Sequence, residues 1–325
     1  MEPDESTFDQ WDKLGLRAAY GQMLLHLAGT DPKLYALSAD LGRSSGLDRF
    51  AATYPERYLG TGIAEQNMVG VAAGLATTGF NVFASSFAPF ITMRAGDQVR
   101  MNLGYMEIPV TLVGLASGLS LGFLGSSHFG LEDLSIMGSI PGIEIVSPSD
   151  SRELYSVLLY ASKSETPLYI RLTGASNLKR VSGVSGTNPM LKDPIWLRPA
   201  TGQVAIATSG VMAATSLEVA ERIFLETGIP IGVMQANWLR PAVLEKTISK
   251  EKIDTWFAIE EHSIRGGLGS ELLRVCHHKA LTSSKVVIIG IEETFPRGST
   301  YQTALVENGL DEISLSKRIK LELNR

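Results

Sequence analysis

The sequence predicts an α/β protein built from two parallel-sheet domains, and three observations predict it. Apolar runs of strand length alternate with amphipathic stretches of helix length almost from end to end, the pattern of βαβ crossovers. The alternation lapses from Ala175 to Ala200, in "ASNLKRVSGVSGTNPMLKDPIWLRPA", where Gly, Ser, Asn and Pro recur. With 325 residues and 44 % apolar content, the chain is long enough to bury two cores. A first domain is expected over residues 1–175, a linker over 176–200 and a second domain over 201–325.

In chain order, "DQWDKLGLRAAYGQMLLHLAGT" reads as one amphipathic helix and "KLYALSAD" as a short strand ending in a polar loop. After "ERYLGTG", the stretch "AEQNMVGVAAGLATTG" has small residues at helical spacing. "FNVFASSF" is a strand, "PFITMRAGDQVRMNLG" a helix and "IPVTLVGLAS" a buried strand. Helix "LEDLSIMGSI", strand "GIEIVSP", helix "SDSRELYSVLLYASKS" and strand "TPLYIRLTG" complete the first domain. The second runs strand "QVAIATS", helix "VMAATSLEVAERIFLETG", strand "PIGVMQA", helix "PAVLEKTIS" and strand "IDTWFAIEE". Helix "GLGSELLRVCHHKAL", strand "KVVIIGI" and a C-terminal helical pair follow.

A net charge of −5 without basic runs argues against nucleic acid or an anionic membrane surface as partner. The single cysteine, Cys276, lies in a helical pattern, which excludes an internal disulfide framework and a cysteine-based zinc cluster. The acidic start "MEPDESTFDQWDK" lacks the basic and apolar regions of a signal peptide. Asn67–Met93 is apolar, but "TTGFN" interrupts it, so a helix–turn–strand reading replaces a membrane span and a cytoplasmic location is expected.

Ligands of open parallel sheets gather beyond the C-terminal strand ends, and most polar residues of interest fall in those loops. Glu65, in "GTGIAEQNMVG", sits among small and apolar residues near a helix start with no cation close in sequence. It is either a first-turn acid favoured by the helix dipole or a carboxyl whose apolar surroundings raise its pKa. Phe87 and Phe90 of "SSFAPF" are either core residues or a flat face for an aromatic ring. His128 lies in the Gly/Ser-rich "GSSHFG", and His262 in "EEHSIRGGLGS" follows a buried strand. His26, His277 and His278 lie in helical patterns, and the histidines show no metal-ligand spacing.

Five ordered motifs, "SADL", "GIAEQNMVGVAAGLA", "FASSFAPF", "HFGLEDLSIMGSIPGIEIVSPSD" and "EEHSIRGGLGS", carry a resemblance over nearly the whole chain. The sequence resembles the C-terminal half of a transketolase in its split, two-subunit form. It belongs by this resemblance with the thiamine-diphosphate enzymes that include transketolases, deoxyxylulose-phosphate synthases and the beta subunits of 2-oxo acid dehydrogenases. The resemblance implies a pyrimidine-binding domain followed by a transketolase C-terminal domain. It implies that Glu65 hydrogen-bonds N1′ of the cofactor's aminopyrimidine ring, where its proton promotes the imino tautomer that deprotonates the thiazolium. Phe90 matches the aromatic stacked on that ring and Phe87 its companion. Asp40 of "SADL" matches an acid near the cofactor, and His128 a histidine facing the substrate's reacting end.

The same resemblance implies a partner. The family holds the diphosphate and magnesium through a "GDG" motif followed by an asparagine, in an N-terminal domain, and this chain has no "GDG". A partner subunit carrying that site, and a heterotetramer of two such chains with two partners, are therefore expected. At the substrate end the family's "GEDGPTH" reads "GFLGSSH", so Leu124 replaces an acid; Ala116 stands in place of a histidine and Gly174 in place of an arginine. Arg17 and Ser44, with Arg43 beside the latter, remain for a phosphate or carboxylate. The implied reaction is transfer of a two-carbon ketol unit from a ketose to an aldehyde, on a specialised substrate. A 2-oxo acid dehydrogenase beta subunit, an acyloin-forming decarboxylase or a non-catalytic assembly subunit are the alternatives.

Overall fold

The computed structural model describes residues 3–181, 192–239, 241–248, 252–278 and 284–324. The first domain is a six-stranded, all-parallel sheet. Its strands are β1 (Leu34–Ser38), β2 (Tyr58–Gly60), β3 (Asn81–Phe87), β4 (Val110–Ser117), β5 (Glu144–Val146) and β6 (Leu168–Thr173). They lie in the order β2-β1-β3-β4-β6-β5, which places β3 and β4 at the centre. Every residue of β4 is buried, as its unbroken apolar run requires of a strand covered on both faces.

Helices α1 (Glu5–Leu14) and α2 (Leu16–Ala28) cover one face together with a later helix from Ser151 to Ala161. The expected single N-terminal helix is thus two. Gly15 breaks it at φ 86°, and a Cβ there would lie 2.2 Å from the Ala175 carbonyl oxygen. A side chain fits neither that backbone conformation nor that approach, so the chain turns where helical periodicity alone would continue. Helix α3 (Asp48–Thr53) follows β1, and α4 (Glu65–Thr77) lies on the opposite face through Met68, Val69, Ala72 and Ala73. The stretch after β3 is not one regular helix. Two π-helical segments, Phe90–Arg94 and Val99–Tyr105, flank the short α5 (Gly96–Gln98). Helix α6 (Asp133–Gly138) precedes β5, and α7 (Ser151–Ala161) joins β5 to β6.

The second domain carries a mixed five-stranded sheet. It comprises β7 (Ile195–Arg198), β8 (Val204–Thr208), β9 (Ile231–Gln235), β10 (Thr255–Ser263) and β11 (Lys285–Ile291), in the order β11-β10-β8-β9-β7. Strand β7 lies within the expected linker: it pairs antiparallel to β9 at the sheet edge, and residues 182–191 of that linker fall outside the described residues. Strand β10 runs two residues beyond the expected "IDTWFAIEE", through His262 to Ser263. Helices α8 (Met212–Thr227) and α12 (Glu312–Leu323) pack on one face, and α9 (Pro241–Ile248) and α10 (Leu268–His278) on the other, with Cys276 buried there. The short α11 (Tyr301–Glu307) joins the first of these layers through Ala304. Among the described residues no helix is long and apolar enough to cross a membrane.

Candidate active site

The C-terminal ends of β3 and β4 and the start of α4 converge at one edge of the first sheet. Glu65 is the first residue of α4, with its side chain 2 % exposed. Its Oε1 accepts from the Ser86 hydroxyl at 2.9 Å and its Oε2 from Arg94 Nη1 at 2.7 Å. No cation lies close to Glu65 in sequence, but the fold brings one to it. Arg94 lies 29 residues away in sequence and reaches Glu65 because the π-helical turn brings it onto the face of Phe90. In that turn the Ala95 N–H bonds back to the Phe90 carbonyl at 3.3 Å, and the Arg94 guanidinium carbon sits 4.3 Å from the Phe90 ring centroid. Such wide turns often mark functional sites.

Phe87, Phe90 and His128 form one aromatic cluster. Ring centroids are 6.1 Å apart for Phe87–Phe90, 5.9 Å for Phe87–His128 and 5.3 Å for Phe90–His128, all edge-on. Phe87 is buried, while Phe90 and His128 are half-buried at the rim. His128 Nδ1 pairs with the Ser127 hydroxyl at 2.9 Å. The loop carrying it is closed at its base by reciprocal backbone bonds between Gly118 and Gly130. The second domain clamps it from outside: Ser126 Oγ donates to the Pro296 carbonyl at 2.6 Å, and the Ser299 N–H to the Gly122 carbonyl at 2.9 Å. Phe123 and Leu124, in the altered part of the loop, project outward, Phe123 80 % exposed.

Asp40, two residues after β1, is exposed at φ 57° and close enough to Tyr58 to help burial raise that phenol's pKa. Arg17 begins α2 and is half-buried, its pKa lowered by burial, with no ion-pair partner among the described residues. Arg43 and Ser44 are exposed in the loop that packs on the same helix, where Gly21 and Gly46 approach too closely for any side chain. The Tyr20 hydroxyl, one turn after Arg17, bonds Ser85 Oγ at 2.8 Å and so ties this helix to the end of β3. The structure thus brings Glu65, Phe87, Phe90 and His128 into one cluster, with Asp40, Arg17, Arg43 and Ser44 along the same sheet edge. Arg94 and Ser86 are the members that sequence reasoning missed. The signal for Arg94 was its four-residue spacing from Phe90 in a helical pattern.

Arg171 does not replace the arginine missing at Gly174. It is buried, pairs with Asp133 through Nε at 2.9 Å, and donates from Nη2 to the carbonyls of Gly130 and Glu261. It therefore joins the two domains rather than facing solvent. Beside it, the polar end of β10 is buried as well, which corrects the reading of His262 as a loop residue. Glu261 accepts from the Leu119 N–H at 2.6 Å and from the Tyr301 hydroxyl at 2.8 Å. Glu260 accepts from the N–H groups of Leu268 and Gly269 at the start of α10, while burial raises its pKa to about 7. His262, fully buried with Nε2 3.8 Å from Asp133, is lowered to about 4, again chiefly by burial.

These two shifts give stability opposite pH slopes. Glu260 binds its proton more tightly folded than unfolded, so its contribution declines as pH rises from 4.5 through 7, by about 3 kcal/mol. His262 binds its proton less tightly folded, so its contribution grows as pH rises from 4 to 6.5 and is lost on acidification. Glu260→Gln removes the first slope alone. The variant should gain on the wild type by about 3 kcal/mol between acidic and neutral pH, read from urea midpoints at both. A difference independent of pH would refute the raised carboxyl.

Residues 12–177 match the transketolase pyrimidine-binding domain and residues 197–311 the transketolase C-terminal domain. The chain belongs to the transketolase family. A relative from Methanocaldococcus jannaschii, named "Putative transketolase C-terminal section", is 32 % identical over 317 residues, covering 96 % of this chain and 97 % of that one. A 6-deoxy-6-sulfo-D-fructose transketolase subunit from a Clostridium species is 35 % identical over 256 residues, 78 % of each chain. Among solved structures, a split-gene transketolase described as an inactive beta4 tetramer is 30 % identical, with TM-score 0.81 over 96 % of this chain and 98 % of its own. Against single-chain transketolases and deoxyxylulose-phosphate synthases, this transketolase-family chain spans about half the partner's length.

The family works with thiamine diphosphate, and the corner made by Glu65 and Phe90 fits that cofactor's pyrimidine end. A flat, N–H-bearing group, the Arg94 guanidinium, already lies over Phe90 and bonds Glu65 there. Among the described residues no cluster of three or more His, Cys, Asp or Glu has metal-holding geometry.

Proposed function

We propose that this chain is the C-terminal subunit of a two-chain, thiamine-diphosphate-dependent enzyme that moves a two-carbon ketol unit from a ketose to an aldehyde. The observation that carries this reading is the meeting of Glu65, Phe90, Phe87 and His128 at one strand-end edge. The cofactor, when bound, supplies a nucleophilic carbon and an electron sink. Glu65 holds a proton toward N1′ of the pyrimidine, Phe90 supports the ring face, Phe87 backs it, and Asp40 stands by the cofactor. His128, held by a loop that the second domain clamps, faces the reacting end of the sugar and moves its hydroxyl proton. An N-terminal subunit with the "GDG" and asparagine motif would bring the diphosphate and magnesium site, in an assembly of two chains of each kind in the cytoplasm. The match to a C-terminal section and a split-gene transketolase, and the half-length coverage of single-chain relatives, support that division.

The far end of the substrate meets Arg17, Arg43 and Ser44. Ala116 and Gly174 are close-packed: a Cβ on Gly174 would lie 3.0 Å from Ser120 Oγ and 3.3 Å from the Ala116 Cβ. Two small residues where the resemblance places a histidine and an arginine remove positive charge. A ketose ending in a less polar or differently charged group than a phosphate ester fits this end. The sulfonate named for the Clostridium relative is one such group. The test is a donor and acceptor screen on this chain co-expressed with its "GDG"-bearing partner, using phosphorylated, sulfonated and uncharged ketoses. Two-carbon transfer from a ketose is the expected result, with the chain alone binding thiamine diphosphate weakly. Carbon dioxide release from a 2-oxo acid without ketose cleavage would overturn the reading.

A further inference from the structure

Arg94 holds the two places that the pyrimidine ring would need. Its Nη1 donates to Glu65 Oε2 at 2.7 Å while its guanidinium stacks on Phe90 at 4.3 Å. A guanidinium and an aminopyrimidine share the flat, aromatic-stacking shape this corner selects, and both bond Glu65, the first as N–H donor and the second as acceptor at N1′. Both Glu65 oxygens are engaged, one by Ser86 and one by Arg94. A new partner for Glu65 must therefore displace one of them. Ser86 is fully buried within β3, whereas the Arg94 side chain is 43 % exposed at the rim. Arg94 is the group able to leave.

We propose that Arg94 is a displaceable stand-in for the cofactor ring: it pairs with Glu65 and covers Phe90 in the unloaded subunit, and turns to solvent when the ring enters. This rests on the reading that Glu65 and Phe90 receive the pyrimidine. The physical need is plain in a subunit made apart from its partner. A carboxylate 2 % exposed is costly to leave unpaired, and Arg94 supplies a charge-assisted hydrogen bond until the ring enters, when Glu65 takes a proton from water and donates it to N1′. Because the arginine is half in water, its release costs little, and the exchange is close to balanced. Arg94 is thus a positioning residue for the unloaded site, acting through Glu65.

The test uses the co-purified pair of chains, thiamine diphosphate with magnesium as probe, and no substrate. Association is followed by stopped-flow protein fluorescence, and thermal midpoints are taken with and without cofactor. Arg94→Met should bind thiamine diphosphate about tenfold faster than wild type and at least as tightly, since loading no longer breaks the pair. Arg94→Lys, which keeps the charge but not the flat fork, should fall between. Arg94→Met should also lower the thermal midpoint of the unloaded pair but not of the loaded one. Association no faster than wild type, or equal destabilisation of both forms, would overturn the proposal and make Arg94 a fixed part of the site. If wild type and variants alike fail to bind the cofactor, the proposed function fails, and this inference with it.

Discussion

Glu65→Ala in the reconstituted two-chain enzyme should lower turnover by at least about 10²–10⁴-fold, the range for a positioned proton-transfer group. The variant should still fold and assemble. Arg94, 43 % exposed, turns to water when its partner is removed, and Ser86 loses an acceptor without gaining a buried charge beside it. Glu65→Gln separates the two parts of the role. An amide retains oxygen and nitrogen at the positions that face Ser86 and the ring, so the cofactor should still bind, but no proton moves and turnover should fall comparably. Steady-state rates, cofactor titration and size-exclusion chromatography of the pair decide it. Undiminished turnover in either variant would remove Glu65 from the mechanism and leave the aromatic cluster without a proton source.

How much of this was legible in the sequence depends on whether each residue's partners are local. Strand β4 was legible because a strand covered on both faces is an apolar run, and "IPVTLVGLAS" is one. Glu65 was legible as unusual but not as paired, because Arg94 arrives through a π-helical turn that apolar periodicity does not reveal. Gly15 looked like a tolerated helical glycine, and the reason it ends α1 is the Ala175 backbone, distant in sequence. At the end of β10, His262 and Ser263 read as the start of a loop, because polar residues normally mark one, and Glu260 and Glu261 gave no sign of their partners. Each is buried only because a remote group satisfies it: α10 N–H groups for Glu260, and Leu119 and Tyr301 for Glu261. Strand β7 was invisible for a related reason. It is a short antiparallel edge strand in a run of turn-forming residues, and its pairing with β9 cannot be read from its own composition.

Asp133 is satisfied across the sequence in the same way, and its removal should be strongly destabilising. Asp133 is the first residue of α6, buried, accepting from the Tyr169 hydroxyl at 2.7 Å and from Arg171 Nε at 2.9 Å. Asp133→Ala strands a cation and a phenol in a site closed to water, a change that costs about 3–5 kcal/mol when a buried pair loses one member. Asp133→Leu combined with Arg171→Met, which removes both charges, should recover much of that loss. Chemical denaturation followed separately by fluorescence and far-ultraviolet circular dichroism tests this, since two domains need not unfold together. The consequence for function follows from where Arg171 points. Its Nη2 bonds the Gly130 carbonyl at the base of the His128 loop and the Glu261 carbonyl of the second domain. Breaking the Asp133 pair should therefore loosen the clamp that aims His128 and reduce turnover even below the melting temperature, with cofactor affinity at Glu65 little changed. A stability loss under about 1 kcal/mol in Asp133→Ala would show that Arg171 finds other acceptors, and that the domain junction does not depend on this pair.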